Sequence, residues 1–368
     1  MTPATPSRRH LLLMLAASAG LGGCAQLATN LGLAPLLQRL GLMEAPAPAL
    51  PAAEAAALRS LDVQGGRALL AGDVEGAIAA WSRYAQQAPS TLPRARQLRG
   101  HLTLLRREAA RRFVQRATAA EAVTGLRRTD RLHVAVLPFA NAVPSASANA
   151  SANASPSPAA PAPAAGFNRA IVAMIAVDLA RVPGLTVLER EKVELLTQEM
   201  RLSASALVDP ATAARPGRLL GAGTVVGGEV LNAPGPTGPG SGRYRLSTAV
   251  GDVSRGRLLG QAEIEGLQSE FFVLQKRIVH GILDLLELPN RPAAVDVVHT
   301  RSWEAYARFA RGLQLLSEDK FTEAREAFVA ALGFDPAFAM AEEAFLATPE
   351  RPATLQEIGA AAAAASSR

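Results

Sequence analysis

The alternation of strand-like and helix-like segments between residues 131 and 288 limits most strongly what this chain can fold into. Five segments have the β-branched or alternating composition of strands: "RLHVAVLPFAN" (131–141), "LTVLER" (185–190), "GTVVGGEVLN" (223–232), "RYRLSTAVGDV" (243–253) and "RLLGQAEIEG" (257–266). Helical spacing of apolar residues marks the segments between them and the last segment: 167–182, 191–203, 209–220 and 269–288. The order β-α-β-α-β-β-β-α predicts an α/β domain over residues 131–290. More specifically, it predicts an α+β arrangement in which helices cover one mixed sheet.

Two segments that flank this domain repeat one helical pattern. The first copy has Gly65, Ala77, Trp81 and Pro89, and the second has Gly312, Ala324, Phe328 and Pro336, with intervals of 12, 4 and 8 residues in both. This spacing resembles a tetratricopeptide repeat, and Ala331 occupies a further small-residue position. We therefore predict tetratricopeptide-like helices over residues 53–117 and a hairpin over 298–345. Because two hairpins are too few for a solenoid, we expect them to pack on neighbouring helices or on each other, with a peptide-binding groove as the alternative.

Residues 93–117 predict a helix with eight arginines. Leu98, Leu102 and Leu105 fall on one face of this helix. The simplest interpretation is an amphipathic helix whose arginines are solvated or paired, and the alternative is contact with anionic lipid or an acidic partner.

The N-terminus predicts export and lipid attachment. A basic pair at Arg8 and Arg9 precedes an apolar run that is too short to span a bilayer, which is typical of a signal peptide over residues 1–23. The segment Leu21-Gly22-Gly23-Cys24 resembles a bacterial lipobox, which implies acylation of the only cysteine, Cys24. A plain signal peptide with an accidental cysteine is the alternative. Ala25 favours sorting to the periplasmic face of the outer membrane, and residues 24–52 predict an Ala/Pro-rich tether.

Composition and motif spacing argue against several function classes. One cysteine excludes an internal disulfide and a thiolate metal cluster, and the five histidines lack the spacing of metal ligands, so we predict no metal and no cofactor. Loss of Arg8 and Arg9 with the signal lowers the formal charge from +6 to +4, and together with a periplasmic location this argues against nucleic acid. No nucleophile–base–acid set is evident. The glycines of "GAGTVVGG" have a nucleotide-like spacing, but the segment precedes a strand instead of joining a strand to a helix, so it does not fit a dinucleotide-binding site. We therefore predict that the chain is not an enzyme.

Residues 131–267 resemble the CsgG-like curli-secretion lipoprotein family. The most specific pieces are Glu189-Arg190 and the block Leu219–Val230, which contains the glycines Gly221, Gly223, Gly227 and Gly228. The opening "VLPF" also resembles TolB-type N-terminal domains, which share a related α/β core. By themselves Glu189 and Arg190 fit a salt-bridging or helix-capping pair at a strand–helix junction, and an acid–base role is the alternative.

The resemblance implies a periplasm-facing outer-membrane lipoprotein that binds envelope proteins and assembles or regulates an envelope complex. Two alternatives are an oligomeric curli-type secretion channel component and a regulator of a peptidoglycan-synthesising enzyme; homo-oligomerisation is open. The family's channel members insert amphipathic hairpins. Neither residues 142–166, which predict a disordered Ala/Ser/Pro insertion, nor the loop after Asn232 has that pattern. Residues 346–368 predict a flexible tail.

Overall fold

The computed structural model describes residues 32–44, 48–121, 130–141, 166–233 and 242–366. The chain divides into two compact units, one formed by residues 110–301 and the other by the residues before 110 and after 301. The helices are α1 Ala34–Leu40, α2 Ala52–Leu70, α3 Val74–Gln87, α4 Pro93–Glu121, α5 Phe167–Ala180, α6 Arg190–Glu199, α7 Pro210–Leu220, α8 Phe271–Leu285, α9 Trp303–Ser317, α10 Phe321–Phe334, α11 Ala339–Ala347 and α12 Leu355–Ser366. The strands are β1 His133–Val136, β2 Ala140–Asn141, β3 Thr186–Val187, β4 Thr224–Ala233, β5 Arg243–Asp252 and β6 Arg257–Leu267.

The α/β unit contains the mixed sheet that the sequence predicted. Its strands are ordered β3-β1-β4-β5-β6, and β2 also pairs with β4. Strand β1 runs parallel to β3 and β4, whereas β4, β5 and β6 are antiparallel neighbours. The fold class is therefore confirmed. The strand predicted over 185–190 is shorter than expected, because only Thr186 and Val187 pair and helix α6 already begins at Arg190.

Helices cover both faces of this sheet. On one face, Ala135 and Leu137 share an apolar cluster with residues of α6 and α7, including Val193, Leu196 and Ala213. On the opposite face, α5 and α8 contribute an aromatic cluster around Tyr244 of β5. Phe167 stacks on that ring at a centroid distance of 5.6 Å, and Phe271 meets it edge-on at 5.3 Å. Alternation of side chains along each strand assigns the two sets to opposite faces.

The helical unit contains two hairpins, α2–α3 and α9–α10, each closed by a glycine–aromatic contact. A Cβ added at Gly65 would lie 2.3 Å from Trp81 Nε1, and one added at Gly312 would lie 2.4 Å from Cε1 of Phe328. In both hairpins the missing side chain thus lets the aromatic ring pack directly on the first helix. Within this unit α2–α3 packs on α4 and α12, and α9–α10 is followed by α11.

Two segments are more ordered than their composition predicted. Residues 355–366, expected to belong to a flexible tail, form helix α12 because Ile358 and Ala362 are buried in the core shared with α2 and α3. Part of the expected tether, residues 34–40, forms helix α1, whose Leu36, Leu37 and Leu40 are buried. Both expectations were wrong at these residues, because tertiary contacts bury apolar side chains of segments that are too short to form stable helices alone.

Candidate functional site

The α/β unit has a crevice at the carboxyl end of β1, where successive connections lead to opposite sides of this strand. Strand β1 leads through α5 to β3 on one side, and the chain then crosses through α6 and α7 to β4 on the other side. In open α/β sheets, ligands bind outside the carboxyl ends of the strands at such a switch point. The carboxyl end of β1 is therefore the position where a ligand-binding site is expected.

A cavity of about 250 Å³ lies at this position. Its apolar wall comes from the end of β1 and the loop after it, together with single residues of α5 and of the loop after α6: Val136, Pro138, Phe139, Val172 and Leu202. Its polar wall comes from the first turn of α5 and one face of α6: Asn168, Arg169, Arg190, Glu194, Thr197 and Gln198. The cavity is large enough for a small ligand or for the end of a longer one.

Two guanidinium groups share one carboxylate on the polar wall. Arg190 Nη1 donates to Glu194 Oε1 at 3.1 Å, and Arg169 Nε lies 3.7 Å from the same oxygen. The three side chains are 20–24% exposed, so these pairs are partly shielded from solvent. Arg190 Nη2 also lies 3.8 Å from Glu191 Oε1, so the two guanidinium groups face two carboxylates and their charges balance.

Two atoms on the cavity-lining residues have unfulfilled hydrogen-bonding capacity. Asn168 Nδ2 donates to the carbonyl oxygen of Phe139 at 3.0 Å and to Asn141 Oδ1 at 2.9 Å, which fixes the orientation of the amide. Its Oδ1 is buried and has no partner among the described residues, and the same holds for Arg169 Nη1. The acceptor Asn168 Oδ1 and the donor Arg169 Nη1 thus make no hydrogen bond within the described part of the chain.

The two residues singled out by the family motif lie at the start of α6. Arg190 lines the cavity. Glu189 is the N-cap residue, makes no side-chain capping bond, and lies 3.3 Å from Lys192 Nζ. Each residue thus forms an ion pair within its own helix. Sequence reasoning missed Asn168, Arg169 and Glu194. The available signal was the position of Asn168 and Arg169 in the first turn of the helix that follows strand "VLPF".

The motif glycines allow close backbone packing around β4. Gly221 ends α7 with a left-handed φ of 75°. A Cβ at Gly223 would lie 2.0 Å from the carbonyl oxygen of Asp130, and one at Gly227 would lie 2.6 Å from that of Leu207. A Cβ at Gly228 would meet Phe139 and the carbonyl oxygen of Ser247, both at 2.6 Å. These positions belong to the packing of the sheet and do not line the cavity.

A second polar cluster is buried beneath α8. Asp178 of α5 is fully buried and accepts hydrogen bonds from Lys276 at 2.6 Å, from Gln275 at 3.0 Å and from His299 at 2.9 Å. Burial by itself raises the pKa of the Asp178 carboxyl, but the hydrogen bonds from His299, Gln275 and Lys276 outweigh it and hold that pKa below its ordinary value. Arg181 Nη1 lies 3.3 Å from Asp178 Oδ1 and is a second cation beside Lys276. The cluster connects α5, α8 and the segment after α8.

The repeat-like residues lie inside their hairpins. Ala77, Trp81, Ala324, Phe328 and Ala331 are fully buried. Pro89 and Pro336 follow the ends of α3 and α10. The five buried side chains are therefore packing residues, whereas Pro89 is half-buried and Pro336 is exposed.

In the helical unit, burial lowers the pKa of His101 to about 4, and the positive charges of Arg94 and Arg351 lower it further. His101 borders a cavity of about 110 Å³ that Arg96 and Arg325 also line.

Several predicted features lie outside the described residues. They include the signal peptide, Leu21, Gly22, Gly23 and Cys24, and the insertion 142–166 apart from Gly166. Across the part of the chain that the structure describes, no set of His, Cys, Asp and Glu side chains is arranged to hold a metal ion. No helix in that part is long and apolar enough to cross a membrane.

Comparison with known families gives one match. Residues 116–237 match the family described as "Curli production assembly/transport component CsgG". The matched range begins in α4 and runs through β1, α5, α6 and α7 to the end of β4, so it includes the cavity and all the motif glycines. A comparison with curated proteins finds no match.

Proposed function

Because residues 116–237 make this chain CsgG-like, we propose that it is a periplasm-facing outer-membrane lipoprotein that acts by binding, without catalysis, in the assembly or regulation of a cell-envelope complex. The family match is the observation that carries the proposal, since the family is described as an assembly and transport component of curli production. Lipid attachment through Cys24 would hold the protein at the membrane, with the cysteine acting as an attachment point.

The arrangement of chemical groups supports a binding role. The charged groups of the crevice pair with one another, and the buried Asp178 cluster joins elements of the fold. The helical unit has two hairpins whose repeated glycine and aromatic positions are used for internal packing, which leaves the outer surfaces of the helices for contact with other proteins. Tetratricopeptide-like hairpins would suit a protein that brings partner proteins together.

The test is crosslinking in cells, followed by affinity purification from solubilised envelope and mass spectrometry. Wild-type protein should fractionate with the outer membrane and recover a reproducible set of envelope proteins. The Cys24→Ala variant should be released from the membrane and lose that set, and a Cys24→Ala variant fused to an unrelated lipoprotein anchor should regain it. If Cys24→Ala stays at the membrane and keeps its partners, the anchoring role is refuted.

Further measurements distinguish the two alternatives from this proposal. The family description includes transport, so an oligomeric secretion channel is the first alternative. Ring-shaped oligomers and conductance in planar bilayers would establish it in place of our proposal. Recovery of a peptidoglycan-synthesising enzyme, with a change in its rate on addition of the purified protein, would establish the regulatory alternative.

A further inference from the structure

Strand β6 forms one edge of the mixed sheet. It is 11 residues long, and among the described strands it pairs only with β5. Every residue of β6 is exposed or half-buried, so the strand is open to solvent along its whole length. A long, open edge strand can pair with a further strand, and natural proteins usually shorten, cover or charge such edges. The edge of β6 is therefore a potential interaction surface.

Backbone groups of β6 point away from the sheet at every second residue. The Gln268 N–H donates to the carbonyl oxygen of Gly242 at 2.8 Å, so this pair belongs to the hydrogen-bonded set between β6 and β5. In an antiparallel pair, such residues alternate with residues whose N–H and C=O groups point to the other side. Counted back along the regular register of residues 260–267, the outward groups belong to Gln261, Glu263 and Glu265. Within the described chain, no hydrogen-bond partner is found for these outward groups.

Charge disfavours a second copy of this chain at the edge. The Glu263 and Glu265 side chains are 59% and 39% exposed and pair with Arg245 and Arg243 of β5. If two copies paired symmetrically and antiparallel through all of residues 260–267, Glu263 would lie opposite an acidic residue of the other copy. Like charges directly opposite each other on neighbouring strands are destabilising. The two glutamates therefore oppose self-association.

The same charges favour a cationic strand. The arginines of β5 form an inner row on this face of the sheet, and Glu263 and Glu265 form the outer row at the edge. An added strand lies about 4.8 Å from the outer row and about twice as far from the inner row. A lysine or arginine of that strand thus meets a glutamate first and continues the alternation of charge.

The other face of β6 favours apolar residues in the added strand. Helix α8 lies along this face: a Cβ added at Gly266 would be 2.9 Å from Cδ2 of Leu274, and one added at Gly281 would be 2.7 Å from Cβ of Ala262. Ile264 lies on the same face and is half-buried, so part of its surface is accessible at the edge. An apolar side chain of an added strand would pack beside it.

We propose that the edge of β6 binds an extended segment of a partner protein as an additional antiparallel strand. The segment has Lys or Arg at two positions, two residues apart, opposite Glu263 and Glu265, and apolar residues between and beside them on the α8 side. Main-chain hydrogen bonds supply affinity, and the alternation of side chains supplies specificity. This proposal deepens the binding role given above and rests on it, because it names one surface and the chemistry of the segment bound there.

Fluorescence anisotropy with the purified full-length protein tests the proposal. The probe is a dye-labelled peptide, acetyl-Thr-Val-Lys-Val-Lys-Val-Thr-amide, at low ionic strength. It should bind, and the peptide with both lysines replaced by glutamate should bind about tenfold more weakly. Methylation of the two lysine backbone nitrogens, whose N–H groups face β6, should also weaken binding about tenfold. Methylation of two valine nitrogens, which point away from β6, is the matched control. Absence of binding, or equal loss with both methylated peptides, overturns the proposal.

Variants of the protein locate the binding at the edge. Gln261→Pro removes an outward N–H at a position where an edge strand tolerates proline, and should weaken binding about tenfold. Glu263→Gln should weaken binding of the lysine peptide about two- to fivefold and leave a peptide with threonine in place of both lysines unchanged. Glu287→Gln, which removes an exposed glutamate paired with Arg131, is the control and should change neither affinity. Equal losses for the lysine and threonine peptides in Glu263→Gln refute the charge assignment.

Sedimentation velocity identifies the competing occupant. A dimer that forms in wild type and is lost in Gln261→Pro would assign the edge to a second copy and overturn the proposal. Peptide binding to the purified protein does not depend on lipid attachment or location. Failure of the peptide to bind would therefore leave the envelope role intact, whereas absence of partners in cells would refute that role even if the peptide binds.

Discussion

The buried Asp178–Lys276 pair permits a quantitative test of how the α/β unit is stabilised. The Lys276 side chain is 7% exposed, and its Nζ lies 2.6 Å from a carboxylate that is fully buried. Asp178→Asn removes the negative charge and leaves Lys276 uncompensated, with His299 and Arg181 also facing a neutral amide. Breaking a buried pair in this way costs about 3–5 kcal/mol.

The partner substitution should cost less. In Lys276→Met, Asp178 still accepts from Gln275 and His299. The loss is therefore one charged hydrogen bond, about 1–3 kcal/mol. In the double variant the uncompensated lysine is gone as well, so its cost should fall below the sum of the two single costs by about 1–3 kcal/mol.

Scanning calorimetry is the suitable assay because the chain has two units. Both tryptophans, Trp81 and Trp303, belong to the helical unit, so their fluorescence identifies the transition of that unit. The other transition should fall by roughly 6–20 °C in Asp178→Asn, at 2–4 °C per kcal/mol for a unit of this size. Glu263→Gln, which breaks an exposed pair with Arg245 on the same sheet, is the control and should cost under about 0.5 kcal/mol. Additive single costs, within about 0.5 kcal/mol, would refute the coupling.

Three further predictions concern acidity, packing and helix capping. Because the pKa of Asp178 is lower in the folded state than its unfolded value of about 3.9, its stabilisation is present above that value and is lost as pH falls through the lower folded pKa. Calorimetry between pH 5 and pH 2.5 should therefore show a smaller acid-induced loss in Asp178→Asn than in wild type. Gly312→Ala should destabilise the helical unit by about 1–3 kcal/mol through overlap with Phe328, whereas Gly359→Ala, whose Cβ would have ordinary contacts, should be neutral or stabilising in tryptophan-monitored urea unfolding. Asp73→Ala removes the cap that accepts from the Gly76 N–H at 2.8 Å and should cost about 1 kcal/mol in the same assay; an unchanged midpoint would show that this cap contributes nothing.

Local patterns were sufficient to predict the elements of the α/β unit. The β-branched run "VAVLPF" and the alternating run "RYRLSTAVGDV" became β1 and β5, and Asp209 with Pro210 began α7 as a capping pattern predicts. The terminal segments were harder to predict. Nothing in the Ala-rich sequence of α12 shows that Ile358 will reach a core formed by α2 and α3, nearly 300 residues earlier in the chain.

The candidate site could be predicted only in part for the same reason. Arg190 belongs to the Glu189-Arg190 motif, which the sequence shows, but Asn168, Arg169 and Glu194 form no pattern along the chain. They meet because a crossover connection puts α5 and α6 on opposite faces of the sheet with the end of β1 between them. That Asn168 Oδ1 and Arg169 Nη1 have no partner among the described residues is likewise a property of the packed structure and of no single segment.

The sequence by itself determined the order of strands and helices, the mixed sheet and the glycine–aromatic spacing of both hairpins, because each of these follows from periodicity and residue size over short stretches of chain. The tertiary structure decided that the two ends of the chain form one helical unit, that α1 and α12 are ordered, and that two arginines and an asparagine line one cavity. Those outcomes depend on contacts between residues far apart in sequence, and the burial that stabilises such contacts exists only once the chain has folded.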